Sequence, residues 1–261
     1  IKMKILYVGE IVAKPGREIV QKFLPEIIKE HKPDMVFANC ENLSGGRGIT
    51  EEKIEQMRMA GIDYFTSGEH IFQEKGTEDF INNLPVLRPA NYPEGTIGEG
   101  YKIIDSGKNG KVLLINLMGL TSFGGKNAFL DNPFSKIDEI LEKTIDEKVD
   151  AKIVDFHAEA TSEKYSMGFY LDGRVDAVIG THTHVPTCDN MVLPKGTLYL
   201  TDVGMCGAVD SSLGVKVDIT IKMFLTAMNQ RFEWENAGRK AFRSVLLDLQ
   251  SRTIVRIDKI I

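Results

Sequence analysis

Gly180-Thr181-His182-Thr183-His184-Val185-Pro186 sets two imidazoles two residues apart, directly after the apolar run Val175 to Ile179, which reads as a buried strand. If the chain stays extended past the strand end, side chains two apart share a face, and His182 and His184 would project together above a sheet. Imidazole nitrogen is a good ligand for first-row divalent metals, so such a pair can grip one ion or serve two. Taken alone, a His-Thr-His fixes no metal and reads equally well as two exposed loop histidines. Other chemistry-bearing residues weigh in. Val8-Gly9-Glu10, Ala38-Asn39-Cys40-Glu41-Asn42, Thr66-Ser67-Gly68-Glu69-His70 and Val154-Asp155-Phe156-His157-Ala158-Glu159 each close or follow an apolar run. Singly, Glu10, Glu41 and Glu69 read as loop carboxylates and His157 as a hydrogen-bonded loop histidine. Five strand ends delivering carboxylates, an amide and four of the chain's five histidines to one rim is a pattern that scattered solvated side chains would not produce, and it points to a metal site.

The elements that must position these groups are legible in the periodicity. Met3 to Gly9, Asp34 to Cys40 and Ile62 to Ser67 are predicted strands. Between them, Arg17 to His31 carries Ile19, Val20, Phe23, Leu24, Ile27 and Ile28 at helical spacing, and Thr50 to Ala60 is a predicted helix capped by Thr50. This is βαβ wiring, in which ligands gather outside the carboxyl ends of the strands. Val112 to Leu117, Lys152 to Phe156, Val175 to Ile179 and Thr197 to Thr201 add further strands. A helix near Asn132 to Ile145 presents Phe134, Ile137, Ile140 and Leu141 as its apolar stripe. After Gly214, Lys216 to Lys222 alternates polar and apolar, as do parts of Ala241 to Leu249 and Thr253 to Ile260, which predicts antiparallel strands with one solvated face. No linker, repeat or low-complexity segment interrupts residues 1–261, so one α/β domain is expected.

Composition bounds what this rim can serve. The 261 residues are 43% hydrophobic, ample for a large core. A formal net charge of -5 lacks the basic footprint of a general nucleic-acid binder and leaves a small substrate as the expected partner. No stretch approaches the roughly 20 apolar residues that cross a bilayer, no signal peptide is legible in Ile1 to Gly9, and Cys40, Cys188 and Cys206 read as free thiols. A cytoplasmic location is expected.

In these motifs the chain resembles the calcineurin-like metallophosphoesterases and, within them, the bacterial YmdB-like phosphodiesterases. The resemblance spans nearly the whole sequence. It is carried by Gly9-Glu10-Ile11-Val12 with Gly16-Arg17, Glu41-Asn42 with Gly45-Gly46 and Gly48-Ile49-Thr50, Thr66-Ser67-Gly68-Glu69-His70, and Arg88-Pro89-Ala90-Asn91-Tyr92. In the second half it rests on Asp155 to Lys164, Leu171-Asp172-Gly173-Arg174, Gly180 to Val185 and Thr201-Asp202-Val203-Gly204-Met205. It implies a four-layer αββα sandwich with two divalent metal ions at the strand ends, iron or manganese in the first place and magnesium or zinc next. The activity it implies is hydrolysis of cyclic nucleotides, 2',3'- or 3',5'-cyclic monophosphates. A phosphomonoesterase or nuclease on the same scaffold is the neighbouring alternative, and association of identical copies is compatible with the sequence. Carried over position by position, Glu41 would bridge both ions. Glu10, Asn42 and His184 would complete one shell, and Glu69, His157 and His182 the other. His70 would stand beside the centre as proton donor to the leaving oxygen.

Two positions depart from that family pattern: Glu10 replaces an aspartate and Glu69 an asparagine. Glu10 adds a methylene to a site that tolerates only a few tenths of an ångström. Glu69 adds a charge as well as length, lowering the net charge of two divalent ions and their carboxylates from about +2 to about +1. Weakened catalysis with metal binding retained, and with it a regulatory role, is therefore a second reading. Among the remaining residues, Gly45-Gly46-Arg47-Gly48 lacks the lysine of a P-loop and reads as a turn. His31 reads as a helix end suited to the dipole and Cys40 as a small buried residue. Asn91 and Tyr92 read either as substrate contacts or as the turn before Pro93.

Overall fold

The computed structural model of the chain describes residues 2–107, 110–121 and 129–261. The opening βαβ units are β1 (Lys4–Val8), the two-residue β2 (Glu10–Ile11), α1 (Ala13–His31), β3 (Met35–Asn39), α2 (Glu51–Met59) and β4 (Tyr64–Thr66). Next come the short α3 (Thr77–Phe80), β5 (Tyr101–Asp105), β6 (Lys111–Met118), α4 (Pro133–Lys143), β7 (Ala151–His157), α5 (Thr161–Tyr170), β8 (Ala177–Thr181), β9 (Met191–Val192) and β10 (Leu198–Leu200). The chain closes with β11 (Met205–Ala208), α6 (Val217–Thr226), β12 (Lys240–Phe242), β13 (Ser244–Asp248), β14 (Thr253–Arg256) and β15 (Lys259–Ile260).

Local signals explain the boundaries. The Thr50 hydroxyl accepts from the Lys53 amide at 3.4 Å and opens α2, while Asn132 caps α4 ahead of Pro133. At the far end of α1, Lys32 takes a left-handed conformation one residue beyond His31.

One sheet runs in the order β14-β13-β1-β3-β4 and a second in the order β5-β6-β7-β8-β10-β9. In each, the strands that lead to the rim, β1, β3 and β4 or β7 and β8, are parallel to one another. Because side chains alternate along a strand, each strand feeds two cores. Ile5, Tyr7, Phe37, Leu114, Ile153 and Ile179 face the other sheet. Their neighbours Leu6, Val36 and Ala38 pack beneath Ile19, Leu24 and Ile54 of α1 and α2, and Ile115, Val154 and Val178 beneath Ile137, Ile140 and Met167 of α4 and α5. The layers are therefore helix, sheet, sheet, helix, as the family resemblance implies. A third sheet, β15-β12-β11-β2, adds to this plan.

Two sequence expectations fail. Residues 216–222 do not form a strand: Val217–Thr226 is the helix α6. Seven alternating residues fit either period, and Val217, Ile221 and Leu225 recur at the helical spacing of four. The helix leaves Val217, Ile221, Phe224 and Leu225 exposed, so its apolar residues reflect a surface rather than a core. Nor does the chain stay extended beyond β8. His182 and His184 have φ of 101° and 62°, a conformation that L residues rarely adopt, and the shared-face argument does not apply to them.

This strained loop is held from below by a buried ion pair. The Lys164 ammonium, reaching up from α5, donates to the Thr181 carbonyl and to Asp202 Oδ2, both at 2.7 Å. Asp202 Oδ2 also accepts the Thr183 amide at 3.0 Å, and both charged side chains are only 1% exposed. Lys164→Met would strand a buried carboxylate, which costs about 3 to 5 kcal/mol. The expected result is a lower denaturant midpoint at an unchanged m-value, and a loss below about 1 kcal/mol would mean that the pair does not hold the loop.

Candidate metal centre

The rim is assembled by register. His157, the last residue of β7, pairs with Thr181, the last of β8, and Asn39 at the end of β3 pairs with Thr66 at the end of β4. Glu41 and Asn42 follow β3, Glu69 and His70 follow β4, and Glu10 begins β2 just beyond β1. All of Glu10, Glu41, Asn42 and His157 are buried.

These residues form two groups that meet at Glu41. In the first, ligand atoms of Glu41, Glu69, His157 and His182 all lie within 4.8 Å of one another and could hold a metal ion. His157 Nε2 lies 3.2 Å from Glu41 Oε2, 2.9 Å from Glu69 Oε2 and 3.0 Å from His182 Nδ1. In the second, His184 Nε2 lies 2.7 Å from Glu10 Oε1 and 3.3 Å from Asn42 Nδ2. Asn42 Nδ2 also meets Glu10 Oε1 and lies 3.4 Å from Glu41 Oε1. His182 and His184 thus go to different groups. His70 Nδ1 stands 2.9 Å from both Glu41 Oε1 and Asn42 Oδ1.

Each imidazole's other nitrogen has a partner that fixes the ring, the arrangement expected around metal ligands. His157 Nδ1 meets the Thr181 hydroxyl at 2.9 Å, His184 Nδ1 donates to the Leu213 carbonyl at 3.0 Å, and His182 Nε2 pairs with Glu159 at 2.9 Å.

Two observations show that the donors suit a cation. Glu10 Oε2 is buried with no hydrogen-bond partner among the described residues, and a buried carboxylate oxygen left so is costly. At Gly68, a Cβ would overlap Glu41 Oε2 and His157 Nε2, so the chain keeps this side of the cluster bare.

The buried carboxylates and imidazoles of the rim shift one another's titration. Burial raises the Glu41 carboxyl, but His157 beside it outweighs that and holds it at about 2. Burial acts likewise on Glu69, whose hydrogen bonds to His157 and His182 leave its carboxyl far below the ordinary range. Burial lowers the His184 imidazole, yet Glu10 brings it up to about 9. His157 and His70 are raised against the same burial effect, chiefly by Glu41.

A cavity of about 420 Å³ opens beside Glu41, Glu69, His70, His182 and His184, and its far side is apolar, built from Leu213, Val215, Phe224, Phe232 and Trp234 among others. Sequence reasoning did not find this wall, whose only sign was that Trp234 is the single tryptophan. It also gave no role to Asp155, fully buried and hydrogen-bonded to Tyr7, Thr66, Asn39 and Thr181; a carboxylate inside the run Ile153-Val154-Asp155-Phe156 was the available signal. Asn91 is structural: its side chain bonds the Met118 amide and carbonyl and the Asp131 carbonyl. Gly45 to Gly48 is a turn, closed by the Gly48 amide on the Glu41 carbonyl at 2.6 Å.

The YmdB-like protein family model matches residues 6–260. A 2',3'-cyclic-nucleotide 2'-phosphodiesterase of Bacillus subtilis is 41% identical, over 99% of this chain and 97% of its own. Among solved structures, a hypothetical protein from Thermus thermophilus superposes with a TM-score of 0.89 at 38% identity, over 99% of both chains. A novel phosphatase from Mycoplasma pneumoniae superposes with a TM-score of 0.85 at 30% identity, over 100% of this chain and 93% of the other.

Since cation uptake must displace imidazolium protons, titrating the metal-free protein with Mn²⁺ should release protons, seen as a heat that varies with buffer ionisation enthalpy, and affinity should rise with pH up to about 9. The metal-free fold should move the opposite way. A histidine raised from 6.5 to about 9 stabilises the fold fully below 6.5, and that contribution disappears as pH climbs through about 9. Mn²⁺ affinity independent of pH over this window would refute the exchange of protons for cation.

Proposed function

Because the chain belongs to the YmdB-like family, we propose that it is a metal-dependent phosphodiesterase that opens cyclic nucleotide monophosphates. The 2',3'-cyclic form named for the Bacillus subtilis relative is the leading substrate and the 3',5'-cyclic form the second. The observation that carries this reading is the place of Glu41, with Oε2 toward His157 and Oε1 toward Asn42 and His70. It is the carboxylate that two cations would share. His157, His182 and Glu69 would hold one cation, and Glu10, Asn42 and His184 the other. Asn42 would offer its carbonyl oxygen by turning its amide, which would give up its hydrogen bond from His70 Nδ1 and leave that nitrogen to Glu41. Iron and manganese suit this mixed imidazole and carboxylate set, with magnesium and zinc next. Two divalent ions supply charge that polarises the phosphoryl group and generates a nucleophile from water.

The chain's own residues do the rest. Water oxygen joins phosphorus, the bond from phosphorus to one ribose oxygen breaks, and that oxygen takes a proton. His70 is the donor: burial lowers its imidazole but Glu41 beside it raises it above the ordinary value, and with Nδ1 held by Glu41 at 2.9 Å, the proton on Nε2, which lies 3.9 Å from Glu69 Oε1, is the one to deliver. The loop beyond β8 positions His182 and His184, and Glu159 and the Leu213 carbonyl hold their tautomers.

The reading is tested by assaying 2',3'- and 3',5'-cyclic AMP and bis-p-nitrophenyl phosphate after chelation and after reloading with Mn²⁺, Fe²⁺, Mg²⁺ or Zn²⁺. Activity should vanish on chelation and return with Mn²⁺ or Fe²⁺. In the reloaded protein, His70→Ala should lower kcat about 100-fold or more at unchanged metal content. Hydrolysis of none of the three substrates by any metal form sinks the proposal, and loss of metal from His70→Ala would make His70 a ligand.

Glu69 favours the second reading, in which catalysis is weakened, because it adds a third carboxylate to a site that must attract phosphate. Glu10→Asp with Glu69→Asn should then raise kcat/KM by about 10-fold or more, since misplacing a reacting group by about an ångström can cost about 100-fold. Equal or lower activity in the folded, metal-loaded double variant would show that the glutamates are adapted ligands.

A further inference from the structure

Trp234 takes no part in the chemistry above, yet the fold seats it with care. It bridges to Val215 in antiparallel fashion, with the Lys216 amide on the Glu233 carbonyl and the Glu235 amide on the Gly214 carbonyl at 2.9 and 2.8 Å. A Cβ at Gly46 would overlap the indole, and one at Gly214 would come within 3.1 Å of it. The ring therefore rests against one position that only glycine fills without a clash and a second where a Cβ would crowd it. Gly46 lies in the turn that follows Glu41 and Asn42, so the indole is fixed to the same loop that carries two of the proposed ligands.

The cavity has two chemically distinct sides. Glu41, Glu69, His70, His182 and His184 line one, while Trp234, Phe232, Phe224 and Met223 line the other. Phe224 is 79% exposed and Phe232 38%, a poor disposition for aromatic rings unless something flat covers them. Arg47 lines the same cavity, and its guanidinium makes no hydrogen bond or ion pair among the described residues. A volume of about 420 Å³ is of the size that small-molecule ligands occupy. A molecule that satisfies both sides is anionic at one end and planar and aromatic at the other.

We propose that Trp234 and Phe232 form a nucleobase platform, which makes the site selective for nucleotides over phosphodiesters that lack a base. The phosphate end of this assignment rests on the phosphodiesterase reading; the base end does not. Aromatic stacking on a base tolerates any base identity because every base presents a π face, so the platform predicts broad base tolerance.

The single tryptophan makes a direct test available. With the Mn²⁺-loaded protein excited at the red edge of tryptophan absorption, adenosine and adenosine 3'-monophosphate should quench the emission saturably. Ribose 5-phosphate and inorganic phosphate should not. Adenosine carries no phosphate, so this arm stands even if no hydrolysis is ever found. Kinetically, Phe232→Ala should raise KM for 2',3'-cyclic AMP about 5- to 100-fold with kcat little changed. It should leave glycerol 1,2-cyclic phosphate, the same five-membered diester without a base, unaffected, and Trp234→Leu should behave alike. Quenching by the base-free phosphates equal to that by adenosine, or no saturable quenching by adenosine and its 3'-phosphate, overturns the proposal. So does a Phe232→Ala effect of equal size on both cyclic diesters.

Discussion

Asp155 is the point on which the site depends. It belongs to β7 of the second sheet, yet three of the groups bonded to its carboxylate, Tyr7, Thr66 and Asn39, come from the first sheet. The fourth, the Thr181 hydroxyl at 2.7 Å, comes from β8. A fully buried carboxylate is costly unless its lone pairs are met, and here four donors meet them, so the two sheets cannot slide past one another without stranding it. Burial raises its pKa, opposed by the imidazole of His157 and by these hydrogen bonds. Thr181 and Asn39 are also the groups nearest His157 Nδ1, at 2.9 and 3.4 Å. The network that locks the sheets together therefore also aims the imidazole that faces Glu41 and Glu69.

That linkage explains why so much of the rim was legible from the sequence. Continuous apolar runs fix β1, β3, β4, β7 and β8, and once those strands are parallel and in register, the residues after them have nowhere to go but one edge. Glu10, Glu41, Asn42, Glu69, His70 and His157 follow directly. His182 and His184 reach the same edge by a route the spacing did not reveal. Their left-handed backbone is imposed by tertiary bonds, Lys164 to the Thr181 carbonyl and the Thr183 amide to Asp202, and no local pattern encodes a bond to a residue so far along the chain. The same gap hid the third sheet, whose short strands β2, β11, β12 and β15 offer too few residues for any period to show.

The error at α6 has a different cause. Helices that pack on a core announce themselves through an apolar stripe, whereas α6 buries only Thr220 and turns Met223 and Phe224 toward a cavity. Two of its apolar residues line that cavity and Val217, Ile221 and Leu225 are exposed, so hydrophobic periodicity, a measure of core packing, assigns them wrongly. A segment whose pattern misleads in this way is a candidate for function in its own right.

Glu10 and Glu69, the two glutamates that depart from the pattern the resemblance implies, can now be weighed as parts of one electrostatic arrangement. Glu69 Oε2 at 2.9 Å from His157 and Oε1 at 3.5 Å from His182 show that the longer, charged side chain is accepted within the first group, where it adds to Glu41 in raising the His157 imidazole. Glu10 uses one oxygen on His184 and leaves the other without a partner among the described residues. Added negative charge strengthens the hold on any cation but also weakens the positive field felt by a phosphate. The substitutions therefore push affinity for the metal and affinity for the anion in opposite directions. Within that balance the exposed Arg47 gains importance, as positive charge in the cavity that does not depend on how many carboxylates the cations must neutralise.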